Sequence, residues 1–352
     1  MMKGNDAVSE AAIRAGCRFF SGYPITPQSE IVEYMSWRMD EVGGSFVQSE
    51  SELSGISMVY GAAACGLRVM GSSSGPGFDL LQEGIGYIVS AELPALIVDV
   101  VRYGNGLGEI VPGQSDYWMV VKNGAHGDYH CPVYAPASIQ EAVDLVSVAY
   151  DKAEQYRNPV IMMYDGAIGQ MMEPVVLPEM KEHDPDKFEW SMKGRGGEPQ
   201  KQITSACYYR HRDPQVYVDN LRTKYRTIEE NEQRWESYMA DDADLIFVAY
   251  GIMSRSCREA ITEARKQGLK VGMIRPITLY PYPVKAFETL PENLKGFVSV
   301  EMSALGQMVE DVRLAVNGRK PVYNYATGKM IPDTEEFISY MKNVLEGKEE
   351  SV

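Results

Sequence analysis

A chain of 352 residues is long for one compact core, so two domains are expected. Its formal charge of −15 and pI near 4.9 exclude nucleic acid as a natural partner, because phosphate binding draws on clustered Lys and Arg. No apolar run approaches the roughly 20 residues that span a bilayer, and Met1-Met2-Lys3-Gly4-Asn5-Asp6 lacks an apolar signal segment, so a cytoplasmic protein without membrane contact is expected.

The pattern then alternates helices and short apolar strands. Asp6 to Ala15 reads as a helix and Cys17 to Phe20 as a strand, before two prolines and a glycine in Gly22 to Pro27 break both patterns. A helix is predicted over Ser29 to Met39, a strand at Phe46 to Gln48 and a small-residue helix over Leu53 to Cys65. Arg68 to Ser72, Ala95 to Val101 and Pro159 to Tyr164 are apolar on both faces, as buried parallel strands are. From about 181 to 242 the chain turns polar and charge-rich, and is predicted to be a linker or excursion with a helix near Thr227 to Met239. A second α/β unit follows over 243–347, with strands at Asp244 to Gly251, Val271 to Ile274 and Gly296 to Glu301 and a helix over Ser254 to Gln267. Strands alternating with helices predict doubly wound parallel sheets. The cysteines at 17, 65, 131, 207 and 257 form no C-x-x-C, which predicts reduced thiols and no clustered-Cys iron–sulfur site.

Several segments could carry chemistry. In Gly22-Tyr23-Pro24-Ile25-Thr26-Pro27-Gln28-Ser29-Glu30 a strand end turns through two prolines into a helix whose first turn could receive an anion; taken alone it is a Pro-rich capping turn. Glu50-Ser51-Glu52-Leu53-Ser54-Gly55 opens a helix rich in small residues, and a carboxylate there is ordinarily a dipole partner. Ser72-Ser73-Ser74-Gly75-Pro76-Gly77 is a tight turn after a strand, permitting close approach to a ligand. Arg102 ends an apolar strand, where open parallel sheets place ligands and a guanidinium grips carboxylates bidentately. Gly104, Gly106 and Gly108 do not make a dinucleotide fingerprint, because no helix follows them. Asp116, His126 and Asp128 sit in polar loops, and for His126 a structural role is the commoner reading.

Taken in order, these segments resemble the alpha subunit of the 2-oxoacid:ferredoxin oxidoreductases: the YPITP signature at Tyr23 to Pro27, the helix opened by Glu52 with Gly61 nine residues on, the Ser74-Gly75-Pro76-Gly77 turn, and Arg102. Tyr23 to Ile31, Met58 to Gly61 and Gly169 to Pro174 resemble the branched-chain type acting on 2-oxoisovalerate, with the 2-oxoglutarate type close behind. The resemblance implies a thiamine-diphosphate pyrimidine-binding domain at 1–180 and a smaller transketolase C-terminal-like domain, free of its own cofactor, at 243–347. It implies that Glu52, with Glu50 as the fallback, bonds the aminopyrimidine N1′, that Thr26 and Arg102 hold the substrate carboxylate, and that Tyr23, Pro24, Ile25, Ser74, Gly75 and Pro76 pack near the cofactor. Asp116, His126 and Asp128 would lie near the substrate or a subunit interface.

The implied reaction is oxidative decarboxylation of a 2-oxoacid to an acyl-CoA, with electrons passed singly to ferredoxin. The chain holds no metal by this reading and lacks the GDG-type diphosphate motif, so a beta subunit would bind the diphosphate and Mg²⁺, and iron–sulfur clusters would sit on partners, including gamma and ferredoxin-like delta subunits. Two other readings stay open: a non-catalytic scaffold with the thiamine fold, and a transketolase-like transferase, which the missing diphosphate motif disfavours.

Overall fold

The computed structural model describes residues 1–122, 124–194, 203 and 213–352. The N-terminal unit opens with β1 (Met2–Lys3), α1 (Gly4–Arg14), β2 (Cys17–Gly22), α2 (Ser29–Glu41), β3 (Ser45–Gln48), α3 (Glu52–Ala64) and β4 (Arg68–Ser73). It continues through α4 (Pro76–Ser90), β5 (Ala95–Tyr103), β6 (Glu109–Pro112), α5 (Tyr117–Val121), β7 (Val133–Tyr134), α6 (Ile139–Tyr156), β8 (Pro159–Asp165), α7 (Gly166–Gln170) and β9 (Met172–Glu173). The strands that read as apolar on both faces are the sheet's centre. β5 and β8 run parallel through seven registered pairs from Ala95↔Pro159 to Val101↔Asp165, covered on one side by α1, α2 and α6 and on the other by α3 and α4.

Beyond a short 3₁₀ turn, α8 (Pro214–Asn231) leads to β10 (Trp235–Tyr238), β11 (Leu245–Val248), α9 (Gly251–Lys266), β12 (Val271–Pro276), β13 (Thr278–Tyr280), β14 (Gly296–Glu301), α10 (Val309–Val316), β15 (Val322–Ala326) and α11 (Thr334–Leu345). The second sheet runs β10-β12-β11-β14-β15, parallel except at the β10 edge.

Two segments depart from the sequence reading. The helix predicted near Thr227 to Met239 lies earlier, as α8: Asp213 caps it by accepting from the Gln215 N–H at 2.8 Å, with Pro214 in its first turn. Trp235–Tyr238 instead alternates exposed and half-buried residues and pairs antiparallel with β12. Pro276 ends β12, and Thr278–Tyr280, to which no strand was assigned from sequence, then crosses to the first sheet and pairs with β7, so the two units are stitched by a strand. An ion cluster reinforces the joint: Arg275 donates to both Glu141 oxygens at 2.9 Å and to Glu236 at 2.9 Å.

Each sheet has a point where the order reverses. In the first, whose order is β13-β7-β8-β5-β4-β2-β3, the chain leaves β2 for β3 on one side and then builds β4 and β5 on the other. In the second it leaves β11 for β12 on one side and later adds β14 and β15 on the other. Open α/β sheets form a ligand crevice at the carboxyl strand ends where this reversal occurs.

Candidate active site

The crevice between β2 and β4 is built from two turns. Tyr23 to Gln28 leaves β2 and Ser74-Gly75 leaves β4. Gln28, fully buried, ties them together: its Nε2 donates to the Tyr23 carbonyl at 2.7 Å, and its Oε1 accepts from Ser72 Oγ at 2.9 Å. Held this way, Tyr23, Pro24 and Thr26 stay exposed and Ile25 half-buried.

Arg102 is 5% exposed and reaches the same place from β5, with Nη1 donating to the Thr26 carbonyl at 3.0 Å. Its Nε and Nη2 bond to no protein atom. The bidentate edge of the guanidinium is therefore free although buried, which ordinarily costs about 1–3 kcal/mol per unsatisfied group. Gly75, at φ +49, passes directly over it; a Cβ there would stand 3.0 Å from Arg102 Nε. Ser74 is buried with an unpartnered hydroxyl, and Pro76 is the first residue of α4.

The two candidate carboxylates differ in direction. Glu50 is exposed, and its oxygens accept from the Ser51 hydroxyl at 3.1 Å and from the Ser54 hydroxyl; the Ser54 contact, with that of Ser51, holds its carboxyl below the usual range. Glu52 is 6% exposed in the first turn of α3, whose cap is Ser51, and its Oε1 accepts from Ser73 Oγ at 3.4 Å. Gly77 of α4 leaves the space for it: a Cβ at that position would collide with Glu52 Oε1 and Ser73 Oγ.

Beneath these residues lies an acid the sequence reading passed over. Asp99 sits inside the apolar run of β5, registered opposite Ser73, fully buried with both oxygens unpartnered. Burial, then Asp116 and Asp79, drive its carboxyl far above the usual range. Asp116 is 9% exposed with Oδ2 unpartnered; burial and then Asp79 push it up to about 7 against the opposing pull of Arg102. Asp79 on α4 is exposed, and partial desolvation raises its carboxyl. His126 and Asp128 are exposed and line a cleft between α4 and the 124–129 loop, and no described hydrogen bond joins either to Thr26, Glu52 or Arg102.

The second crevice, between β11 and β14, is filled by the first unit. Gln114 is 2% exposed; its backbone N–H donates to the Met302 carbonyl at 2.8 Å, its Nε2 to the Tyr250 carbonyl at 3.0 Å, and its Oε1 accepts from the Met302 N–H at 2.9 Å. Gln307 fixes the next turn, donating to the Ser115 carbonyl at 2.6 Å and accepting from the Trp118 N–H at 2.7 Å. Gln28, Asp99 and Gln114 were not singled out from sequence, and Gly77 only as part of the Ser74 to Gly77 turn. Only Asp99 left a clear signal, an acid in the middle of a buried strand.

Among the described residues no group of three His, Cys, Asp or Glu is arranged to hold a metal ion, and no described helix is long and apolar enough to cross a membrane. Cys17, Cys131 and Cys257 are buried and Cys65 is exposed, and Cys207 lies outside the described residues.

Comparison with known proteins gives this geometry a family. Residues 10–240 match a family described as pyruvate flavodoxin/ferredoxin oxidoreductase, thiamine-diphosphate-binding, and residues 243–331 match pyruvate:ferredoxin oxidoreductase core domain II. The chain is 49% identical over 316 residues to ketoisovalerate oxidoreductase subunit VorB of Methanothermobacter thermautotrophicus, covering 90% of this chain and 89% of that one. It is 37% identical over 333 residues to 2-oxoglutarate synthase subunit KorA of Methanocaldococcus jannaschii, covering 88% and 90%. The solved 2-oxoglutarate:ferredoxin oxidoreductase of Magnetococcus marinus, with 2-oxoglutarate, coenzyme A and succinyl-CoA bound, superposes with a TM-score of 0.81 at 26% identity, over 97% of this chain and 64% of that one. A split-gene transketolase superposes at 0.61 with 12% identity, a likeness of fold alone. With two domain families in sequence and relatives at this identity along nine-tenths of its length, the chain belongs to the 2-oxoacid:ferredoxin oxidoreductases, as a subunit of such an enzyme.

Proposed function

We propose that this subunit supplies half of a thiamine-diphosphate site for the CoA-dependent oxidative decarboxylation of 2-oxoisovalerate, with residues 1–180 as the pyrimidine-binding domain, 181–242 as an excursion and 243–347 as the transketolase C-terminal-like domain. The observation that carries the reading is the pairing, at one crevice, of an inward carboxylate with an unspent guanidinium edge. Leaving the Arg102 edge buried and unsatisfied costs stability, and a scaffold that bound only partners would have no use for it.

The residues fit the pyrimidine end of the cofactor. Glu52 is buried in a cradle that a side chain at position 77 would fill, beside the orphaned hydroxyls of Ser49 and Ser74. When bound, thiamine diphosphate supplies the nucleophilic carbon and the electron sink for decarboxylation. Glu52 holds the proton at the pyrimidine N1′, and the Ser73 hydroxyl keeps that carboxylate oriented. Arg102 grips the substrate carboxylate through Nε and Nη2, while Nη1 is anchored on the Thr26 backbone, which brings the Thr26 side chain to the same carboxylate. Tyr23, Pro24, Ile25, Ser74, Gly75 and Pro76 form the walls.

Tyr23, Leu53, Met58 and Leu80, each about 39–45% exposed, leave an apolar rim around this crevice. In our reading a beta subunit carrying the diphosphate and Mg²⁺ docks there. Gamma and ferredoxin-like delta subunits with iron–sulfur clusters complete the complex, ferredoxin takes the electrons, and the assembly works in the cytoplasm. Asp128 and His126 belong to the neighbouring interface.

The 49% identity to a ketoisovalerate subunit, against 37% to a 2-oxoglutarate subunit, favours the branched-chain acid. One guanidinium edge also matches one carboxylate. The test is reconstitution with the partner subunits and a panel of 2-oxoacids, read as dye or ferredoxin reduction. The expected outcome is the highest kcat/KM for 2-oxoisovalerate; a preference for 2-oxoglutarate reassigns the substrate, and no 2-oxoacid-dependent reduction returns the scaffold reading.

A further inference from the structure

Among the described residues, Asp99 is the only acid with both carboxyl oxygens buried and without a partner. Strand register fixes what lies beside it. β4 and β5 run parallel, and Asp99 stands opposite Ser73 on one side and Met163 of β8 on the other. Registered residues of neighbouring strands share a face, with the strands about 4.8 Å apart. Alternation says which face: Val69, Ile97, Val101 and Met163 join the core beneath α3 and α4, whereas Met70, Val98 and Val100 join the opposite one. Asp99 and Ser73 therefore point together toward α3 and α4. Arg102, three residues on, falls on the other face, where it meets Thr26.

Over that pair stands Glu52. Ser73 Oγ donates to its Oε1 at 3.4 Å, the long end of the hydrogen-bond range, and Gly77 leaves the two unobstructed, since a Cβ there would collide with both atoms. A hydroxyl has one hydrogen and two lone pairs. Among the described hydrogen bonds none is donated to Ser73 Oγ, so the direction of its hydrogen is set by this one long contact. Asp99 has what that oxygen lacks. A carboxylate sealed in a strand without a cation or a donor is strongly disfavoured against the neutral acid, and Asp116 and Asp79, both acids, act on it in the same sense as burial. The neutral acid carries one O–H donor, and the polar side chain registered beside it is Ser73.

We propose that Asp99 is a positioning residue for Glu52: its carboxyl O–H donates to Ser73 Oγ, which commits the Ser73 hydrogen to Glu52 Oε1 and fixes the carboxylate that meets the cofactor pyrimidine. This rests on the reading of Glu52 as that carboxylate. The three groups form a chain running one way, acid to hydroxyl to carboxylate, across β5, β4 and α3. Each link polarises the next, so the contact at 3.4 Å tightens when both ends are engaged. No proton changes owner and no covalent bond breaks; Asp99 acts through Ser73 and touches neither cofactor nor substrate. The chain also gives a use to an acid that otherwise only destabilises its strand.

The experiment uses the complex assembled with its partner subunits. Asp99→Ala is expected to lower kcat for 2-oxoisovalerate by about tenfold, the worth of one hydrogen bond, and to leave KM unchanged, because Arg102 lies on the opposite face. Asp99→Asn, which keeps a donor in the same place, should recover most of that loss. Two readouts need no turnover. The melting temperature of the complex depleted of thiamine diphosphate should not fall in Asp99→Ala, since the group removed has no partner. Calorimetric titration with thiamine diphosphate should show weaker binding in Asp99→Ala and in Ser73→Ala, with the double variant no weaker than Ser73→Ala alone. Should Asp99→Ala not assemble, Asp99→Val, which a strand accepts, carries the same expectations. Wild-type kcat and cofactor affinity in Asp99→Ala, a lowered melting temperature with kcat and KM moving together, losses that add in the double variant, or Asp99→Asn as impaired as Asp99→Ala overturns the proposal. Glu52→Gln separates it from the reading beneath: full turnover in that variant removes Glu52 and this inference together, and a loss there beside wild-type behaviour in Asp99→Ala removes this inference alone.

Discussion

The molecule contains two crevices of the same topological kind and uses them oppositely. Between β2 and β4 the turns withdraw, and the polar atoms left behind are orphans: two nitrogens of Arg102, both oxygens of Asp99, the Ser74 hydroxyl. Between β11 and β14 the space is taken by polypeptide, and Gln114 spends its side chain and its backbone N–H on Tyr250 and Met302. The buried acid there, Glu301, has one oxygen engaged by the Gln307 and Met308 N–H groups. The reversal point of a doubly wound sheet therefore creates a cavity but does not decide its use. The residues that stop short of it leave a site, and the residues that enter it make a joint.

Changes in the open crevice should strike activity hardest. Gly77→Ala would drive a methyl into Glu52 and Ser73; a displacement of that size is expected to lower turnover of the assembled complex by about 100-fold, with a smaller loss of about 1–3 kcal/mol in stability from overpacking. Arg102→Lys retains charge but loses the paired edge, and kcat/KM should drop by roughly 10–100-fold, the equivalent of one charge-assisted hydrogen bond of about 1.5–3 kcal/mol, mostly through KM.

Changes in the filled crevice should appear in stability instead. Burial, opposed by the Gln307 and Met308 N–H groups, pushes the Glu301 carboxyl from 4.5 to about 7. A carboxyl raised on folding contributes stability that is fully present below its unfolded pKa and is lost as pH rises through the folded one. Chemical denaturation should thus show stability falling between about pH 4.5 and 7, by up to about 3 kcal/mol from this group, with Asp165, raised to about 6 by burial, adding to the fall. Glu301→Gln should remove its own share of that decline, leaving the shares of Asp99 and Asp116, which burial raises likewise, and a profile that stays as steep would remove Glu301 as a source. Gln114→Leu would orphan the Met302 N–H and leave the Tyr250 carbonyl only the Ser254 N–H at 3.4 Å, at about 1–3 kcal/mol, lowering the melting temperature while activity at low temperature suffers less than in Gly77→Ala.

What was legible in the sequence follows the same division. The buried strands declared themselves through apolar runs, so β5 and β8 were placed within a few residues, and the prolines and glycines of Tyr23 to Pro27 and Ser74 to Gly77 marked the turns of the open crevice because backbone punctuation is local. The crossing strand Thr278–Tyr280 is hidden among the prolines at 276, 281 and 283, which interrupt any strand pattern although three residues between them suffice to reach β7. Gln114 shares the polar loop of Asp116 and was not singled out, since nothing local reveals that its partners are 136 and 188 positions away. Asp99 was readable in principle: an acid within Ala95 to Val101 cannot be solvated by a buried strand, and its two free oxygens are the result.

Two neighbouring carboxylates decide the site by the direction in which they point, Glu52 into the crevice and Glu50 out of it. Turnover of 2-oxoisovalerate by complexes carrying Glu52→Gln or Glu50→Gln measures this most directly, with assembly and thiamine diphosphate binding checked for both. The prediction is a loss of about 10²–10⁴-fold for Glu52→Gln, the usual worth of a positioned acid–base group, and near wild-type turnover for Glu50→Gln. Near wild-type turnover in Glu52→Gln, or the large loss appearing in Glu50→Gln, would contradict it.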